Sequence, residues 1–208
     1  MPIELVTTSG IFALDGGEWE VTNNIWLVGN DREVLVIDAA HDAMPIVDAI
    51  NGRHVRAIVL THGHNDHINA AVPLREITDA PILLHDADRM LWDVVWPSDA
   101  PDKRIVPGET VKAGGHEIAM LHTPGHSPGC CCFYDIESEA VFSGDTLFCG
   151  GPGATGRSYS DEATILRSIS DVLLQLPDET IVHTGHGEST TIGAERAGVL
   201  ARAAELGV

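Results

Sequence analysis

The chain has 208 residues, 44 % hydrophobic and 21 % charged, too apolar for an intrinsically disordered protein and the right length for one domain of roughly 200 residues over positions 1–208. With 31 Asp and Glu against 12 Lys and Arg, the formal net charge is −19, so the average surface repels phosphate backbones and anionic headgroups, which argues against nucleic-acid and membrane partners. The start, Met1-Pro2-Ile3-Glu4, has no basic region ahead of an apolar stretch, and no run approaches the ~18 apolar residues of a membrane span, so a cytoplasmic protein is expected.

Strands are expected at Asn24–Val28 and Glu33–Ile37, joined by the turn Gly29-Asn30-Asp31. Asp42 caps a helix that carries Ile46, Val47 and Ile50 and stops at Asn51-Gly52. The apolar run Val55–Leu60 has strand length and ends in the polar cluster Thr61–Asp66, from which a helical pattern continues through Glu76. Pro81–Leu84 is a further strand, and Asp86 caps a helix with Met90, Leu91, Val94 and Val95 on an apolar stripe and the pair Trp92 and Trp96 for packing. Pro97–Gly108, with Pro97, Pro101 and Pro107, is a surface loop. Strands follow at His116–His122, Cys130–Tyr134 and Ala140–Phe142, then an amphipathic helix at Asp161–Leu176, a strand at Ile181–Thr184 and a terminal helix from about Thr191. Strand-rich halves without strict β-α alternation predict a mixed α/β (α+β) fold of two sheets packed face to face with helices outside.

Cys130, Cys131 and Cys132 are consecutive and Cys149 is distant, which is neither a disulfide framework nor a structural zinc spacing; reduced, mostly buried thiols are expected. The chemistry concentrates in Thr61-His62-Gly63-His64-Asn65-Asp66-His67, directly after a strand. Imidazole and carboxylate bind zinc or iron. His62 and His64, one residue apart on an extended segment, point the same way, while Asp66 and His67 begin a helix and point elsewhere. One short segment can therefore serve two adjacent metals. His126, Asp145 and His186 follow at strand ends, each beside glycines that let loops converge: Pro124-Gly125-His126, Gly144-Asp145 and Gly185-His186-Gly187.

In this order, the His-x-His-x-Asp-His motif, His126, Asp145 and His186 resemble the metallo-β-lactamase superfamily, most closely its glyoxalase-II-like hydrolases, over about Asn24–Gly187. The resemblance implies a four-layered αββα sandwich with two divalent metal ions, zinc foremost and iron or manganese as alternatives. It implies that His62, His64 and His126 hold one ion, that Asp66, His67 and His186 hold the other, and that Asp145 bridges them, with Asp66 and Asp145 as the catalytic carboxylates. Many antibiotic-destroying lactamases have Cys or His where this chain has Asp145, so thioester hydrolysis by a metal-bound hydroxide is expected. Two-domain glyoxalase II enzymes grip glutathione with a C-terminal helical extension, whereas only Gly187–Val208 follows here. The small-molecule substrate is therefore a thioester of glutathione or of another carrier such as mycothiol or coenzyme A, or an ester or lactone. The persulfide dioxygenases look similar over all these motifs and hold one iron with residues matching His62, His126 and Asp145, the alternative reaction class.

Gly150–Tyr159 borders the expected mouth, where Arg157 is a candidate for a substrate carboxylate and Tyr159 and Ser158 for hydrogen bonds. The literal G-x-G-x-x-G at Gly151–Gly156 lacks the helix that a dinucleotide fingerprint opens, since the next one starts near Asp161. Asp38 is expected to orient the Thr61 loop or a ligand histidine, or else to cap a turn, and His122 and His183 to pack in strands or support ligands.

Overall fold

Residues 3–208 are described by a computed structural model, and the alternation of side chains along its strands explains its layers. β1 (Ile3–Leu14), β2 (Gly17–Gly29), β3 (Glu33–Ile37), β4 (His54–Val59), β5 (Ile82–Leu84) and β6 (Lys103–Arg104) form one sheet in that order. From Ile25 in β2, through β3 and at the end of β4, both faces are apolar. Trp26, Val28, Leu35, Ile37, Ala57 and Val59 point to the second sheet, while Ile25, Leu27, Val34, Val36 and Ile58 point outward. A period of two with apolar residues at every position requires cover on both sides. The outward set is covered by α1 (Ala43–Ile50), α2 (Asn65–Ile68), α3 (Ala71–Thr78) and α4 (Arg89–Val95), through Ile46, Ile50, Ile68, Leu74 and Trp92.

The second sheet has the order β14, β13, β10, β9, β8, β7, from β7 (Thr110–Ala113), β8 (His116–His122), β9 (Cys131–Asp135), β10 (Ala140–Gly144), β13 (Ile181–Thr184) and β14 (Thr190–Thr191). Its inner residues Ile118, Met120, Cys131, Phe133 and Phe142 meet the first sheet. Cys132, Val141 and Val182 face α5 (Glu162–Asp171) and α6 (Ile192–Leu206), where Ile165, Ile169 and Val199 are buried. The short pair β11 (Leu147–Phe148) and β12 (Gly151–Pro152) completes the αββα sandwich.

Several local readings change. Residues 3–22, unassigned from sequence, form the long β1–β2 hairpin around Asp15-Gly16, both at positive φ (53° and 77°), the two-residue turn that matches strand twist. The helical pattern after Asp66 breaks into α2 and α3 because Ala70 N donates to Ala39 O and Asn69 Oδ1 accepts from His41 N, taking that backbone out of the helix. On α4, Trp92 is fully buried and Val94 is 80 % exposed, so the stripe predicted through Met90, Leu91, Val94 and Val95 is split. Burying an indole outweighs burying a valine and sets the helix rotation. The side chain of His85, rather than Asp86, accepts from Ala87 N at the preceding turn. The helix expected to Leu176 ends at Asp171, with a 3-10 turn at Leu173–Gln175, and Cys149 is exposed while the other three cysteines are buried.

The two sheets are joined by hydrogen bonds along one edge. Asn24 N donates to Gly185 O at 2.8 Å, Trp26 Nε1 to Thr184 O at 3.0 Å, and Cys131 N to Thr61 O at 2.8 Å. The loops after β4, β8, β10 and β13 emerge at this edge.

Candidate metal centre

Each ligand histidine is oriented by what its outer nitrogen touches. Thr61 Oγ1 donates to Asp38 Oδ2 at 2.9 Å, so its oxygen accepts from His62 Nδ1–H at 3.1 Å. His67 Nδ1 donates to Asp38 Oδ2 at 2.9 Å, His126 Nδ1 to Ala154 O at 2.8 Å and His186 Nδ1 to Thr22 O at 2.8 Å. Acceptors on the outside fix a proton on Nδ1 and turn Nε2 inward, where it can bind a metal ion once it carries no proton. His64 is the exception: its Nδ1 faces inward, 3.0 Å from both His62 Nε2 and His126 Nε2. Asp38, at φ 62°, both holds the Thr61 loop and orients His67, serving the two ends of the motif at once.

The spacing matches what metal ions require. Tetrahedral Zn–N bonds of ~2.0–2.1 Å place ligand atoms roughly 3.3 Å apart. In the first set, His62, His64 and His126 are 3.0 Å apart through His64 Nδ1. In the second, His67 Nε2 and His186 Nε2 are 3.2 Å apart, with Asp66 Oδ2 at 3.6 Å and 3.4 Å from them. Asp145 reaches both sets, Oδ1 being 3.3 Å from His67 and Oδ2 3.6 Å from His126 and 3.5 Å from His186. Asp66 Oδ1 and Asp145 Oδ1 are buried without a hydrogen-bond partner, a costly arrangement for carboxylates unless a cation lies beside them. The seven side chains thus form a centre able to hold two metal ions.

Charge divides the two sets. Burial, then the neighbouring rings of His67 and His64, keeps His62 well below the ordinary imidazole range, and burial pushes His64 down to about 3, so both are neutral. Burial opposes charge at His67 and His186 too, but Asp145 and Asp66 overcome it, holding His67 well above its usual range and His186 at about 10. Burial would raise Asp145, and the His67 and His186 rings outweigh it, keeping the carboxylate ionised. In the metal-free protein, protonated His186 therefore adds stability that is fully present below its ordinary 6.5 and is lost as pH rises through about 10. Metal loading at neutral pH must displace protons from His67 and His186. Calorimetric titration with zinc in buffers of differing ionisation enthalpy is expected to show proton release, and a buffer-independent heat would contradict this charge state.

Of the residues behind this cluster, sequence reasoning singled out Asp38, His122 and His183 but not Asn23 or Asp88. Asn23, fully buried on β2, donates through Nδ2 to Asp66 Oδ2 at 3.1 Å, and its Oδ1 accepts from His41 Nε2 at 2.8 Å. Asp88, also fully buried, accepts from Gly63 N, Ser127 Oγ and Gly129 N, tying the His62 and His126 loops together. His122 Nε2 donates to Pro128 O beside the His126 loop, whereas His183 packs between Trp26 and Phe142.

A cavity of about 510 Å³ opens over the centre, walled by Phe12, Trp19, Val21 and Phe148 and reaching His64, Asp66, His126, Asp145 and His186. Arg157 lines it, with its guanidinium carbon 3.8 Å from the Trp19 ring centre and 5.1 Å from that of Phe12. Ser158 borders the same cavity, while Tyr159, 56 % exposed, faces a neighbouring groove. In the Gly151–Gly156 loop no helix opens; α5 starts at Glu162 behind the cap Asp161. No helix among the described residues is long and apolar enough to cross a membrane.

Residues 19–186 match the family model of the metallo-beta-lactamase superfamily. A relative from Haemophilus influenzae, named hydroxyacylglutathione hydrolase GloC, is 33 % identical over 188 residues, covering 83 % of this chain and 87 % of its own. The solved structure of the BLEG-1 B3 metallo-beta-lactamase aligns with a TM-score of 0.78 at 29 % identity, covering 91 % of this chain and 97 % of that one. TTHA1623 in a di-iron-bound form aligns with a TM-score of 0.72 at 34 % identity, covering 85 % and 93 %. The two-sheet sandwich, a centre able to hold two metals at its edge and a family match over most of the sequence agree, and the chain belongs to the metallo-beta-lactamase superfamily as a metal-binding, hydrolase-type enzyme.

Proposed function

We propose that the protein is a binuclear metal-dependent hydrolase of thioesters, with His62, His64 and His126 holding one divalent ion, Asp66, His67 and His186 the other, and Asp145 bridging. The observation that carries this reading is the Asp145 carboxylate, which presents one oxygen to His67 and the other to His126 and His186. Two divalent cations there would lower the pKa of water from its bulk value toward neutrality and stabilise negative charge on a carbonyl oxygen. The imidazole and carboxylate donors suit zinc, and equally iron or manganese.

The chain's own residues supply the rest. Phe12, Trp19 and Phe148 exclude water from one side of the cavity, and Phe12 lies 5.3 Å from the His64 ring. Arg157, held over Trp19, offers forked N–H donors to an anionic group of the thiol carrier. Asp66 and Asp145, held ionised, keep negative charge beside the ligand nitrogens and steady the geometry in which the carbonyl is attacked. A thiol with pKa near ~8.5 leaves as thiolate with little protonation, so no strong general acid is needed. The name of the Haemophilus influenzae relative supports a thioester of glutathione, and Arg157 suits its carboxylates or the anionic groups of another carrier.

Elemental analysis of protein purified without added metal, combined with thiol-release assays on S-lactoylglutathione and acetyl-coenzyme A with and without oxygen, a ring-opening assay on a β-lactam, and oxygen uptake on a glutathione persulfide, tests the reading. About two metal ions per chain and oxygen-independent thiol release are expected. One iron per chain with oxygen uptake on a persulfide would replace hydrolysis by oxidation.

A further inference from the structure

A groove of about 420 Å³ lies beside the catalytic cavity, and the two share Leu14, His64 and Ser158. Between them the hairpin tip is tied to the 156–160 segment by Ser158 N, which donates to Asp15 Oδ2 at 3.0 Å. One wall is α4, through Met90, Leu91, Val94 and Val95, and the opposite wall carries Tyr159.

Two features mark this groove as built for an apolar occupant. Val94 is 80 % exposed on a helix whose Leu91 and Trp92 are buried and whose Val95 packs on the core, so Val94 presents an unpartnered apolar side chain to the groove. Tyr159 has φ 69°, a costly conformation for an aromatic residue. Ser160 stabilises that turn: its Oγ accepts from Gly156 N and Arg157 N and donates to Arg157 O. The turn sends Arg157 into the catalytic cavity and Tyr159, two residues later, into the groove. Charge separates the two spaces further. The groove is edged by Asp15 and Glu18 and lined by no Lys or Arg, while the catalytic cavity has Arg157. An anionic carrier is repelled from the first and attracted to the second.

We propose that this groove binds the acyl chain of the substrate, so that the preferred substrates are thioesters of an uncharged, medium-length aliphatic acid, lying across the metal centre with the carrier's anionic group at Arg157. The proposal rests on the hydrolase reading, and its test is arranged so that either can fail alone. Acetyl to octanoyl thioesters of N-acetylcysteamine, an uncharged carrier, are assayed for thiol release by the zinc-loaded protein. The specificity constant is expected to rise by up to about fourfold per added methylene while the chain remains inside the groove, the ratio that corresponds to ~0.8 kcal/mol per buried CH2. V94W fills the groove from an exposed position and is expected to flatten this dependence, whereas I136W, on the exposed β9–β10 turn, keeps it. A flat series in the native protein, or an undiminished slope in V94W, overturns the proposal. Titration calorimetry with the non-hydrolysable ketone analogues, in which CH2 replaces the thioester sulfur, judges the groove without turnover. Binding of the octanoyl analogue at least tenfold tighter than the acetyl one, with the difference erased in V94W, supports the groove even if no thioester is cleaved. Equal binding of the two analogues rejects it even if every thioester is cleaved.

Discussion

Asp145→Ala is expected to lose one or both metal ions and to reduce thioester turnover by at least about 10³-fold, the upper range for removing one electrostatic stabiliser from an active site. The reason is the position of the carboxylate. Its oxygens lie 3.3 Å to 3.6 Å from His67, His126 and His186, so this carboxylate reaches both ligand sets. Two divalent ions held by these adjacent sets would repel each other in a buried site, and an anion between the sets would offset that repulsion. Alanine removes the anion and two ligand atoms together. The protonated His67 and His186 of the metal-free chain also lose the partner that sustains their charge, so both rings deprotonate at lower pH in the variant and its proton release on loading should shrink. Asp145→Asn keeps the shape and removes the charge, and is expected to retain the first ion more than the second. Elemental analysis and thiol release on the same preparations check the pair; an Asp145→Ala protein with about two ions and full turnover would remove Asp145 from the centre.

What the sequence disclosed and what it hid follow from the range of the interactions. The candidate ligands His62, His64, Asp66 and His67 share one strand-to-helix junction, and His126, Asp145 and His186 each stand beside a glycine, so local spacing was enough to propose them, and the fold brings their ligand atoms together. At Gly185 the structure shows why: a Cβ there would collide with Asp145 Oδ1 and crowd His67 Cε1 at 2.9 Å. The layers were legible because β2 from Ile25, β3 and the end of β4 are apolar on both faces. β1 escaped detection because it is an edge strand with Thr7, Thr8 and Ser9 at its middle, even though Asp15-Gly16 is a strong hairpin signal. Asn23, His41 and Asp88 act on partners far along the chain, Asn23 on Asp66 and Asp88 on Gly63, Ser127 and Gly129, and no local pattern encodes such pairings. The separation of Arg157 from Tyr159 is decided by one backbone angle, which the residue types did not announce.

Asp88→Ala is expected to destabilise the metal-free protein by about 3 kcal/mol and to weaken metal binding at the first ion, although Asp88 touches no ligand atom. Its carboxylate accepts from Gly63 N at 2.8 Å, Gly129 N at 2.6 Å and Ser127 Oγ at 2.5 Å. Gly63 separates His62 from His64, and Ser127 follows His126, so this one buried group sets the distance between the two loops that supply all three nitrogens of the first set. Removing it strands two backbone donors and a hydroxyl in the interior, at about 1–3 kcal/mol for each unsatisfied group. Part of that cost is returned, because burial already pushes the Asp88 carboxyl above its ordinary range despite the hydrogen bonds from Ser127, Gly129 and Gly63. Asp88→Asn keeps one acceptor oxygen but turns an amide N–H2 toward donors, so it should fall between the native protein and alanine in urea unfolding. A positioning role predicts more than lost stability. Zinc affinity at the first ion should fall by about 10- to 100-fold, as for other groups that orient metal ligands, and excess zinc should recover part of the turnover under conditions where the variant is fully folded. A folded Asp88→Ala protein with native zinc affinity would leave Asp88 a structural group alone.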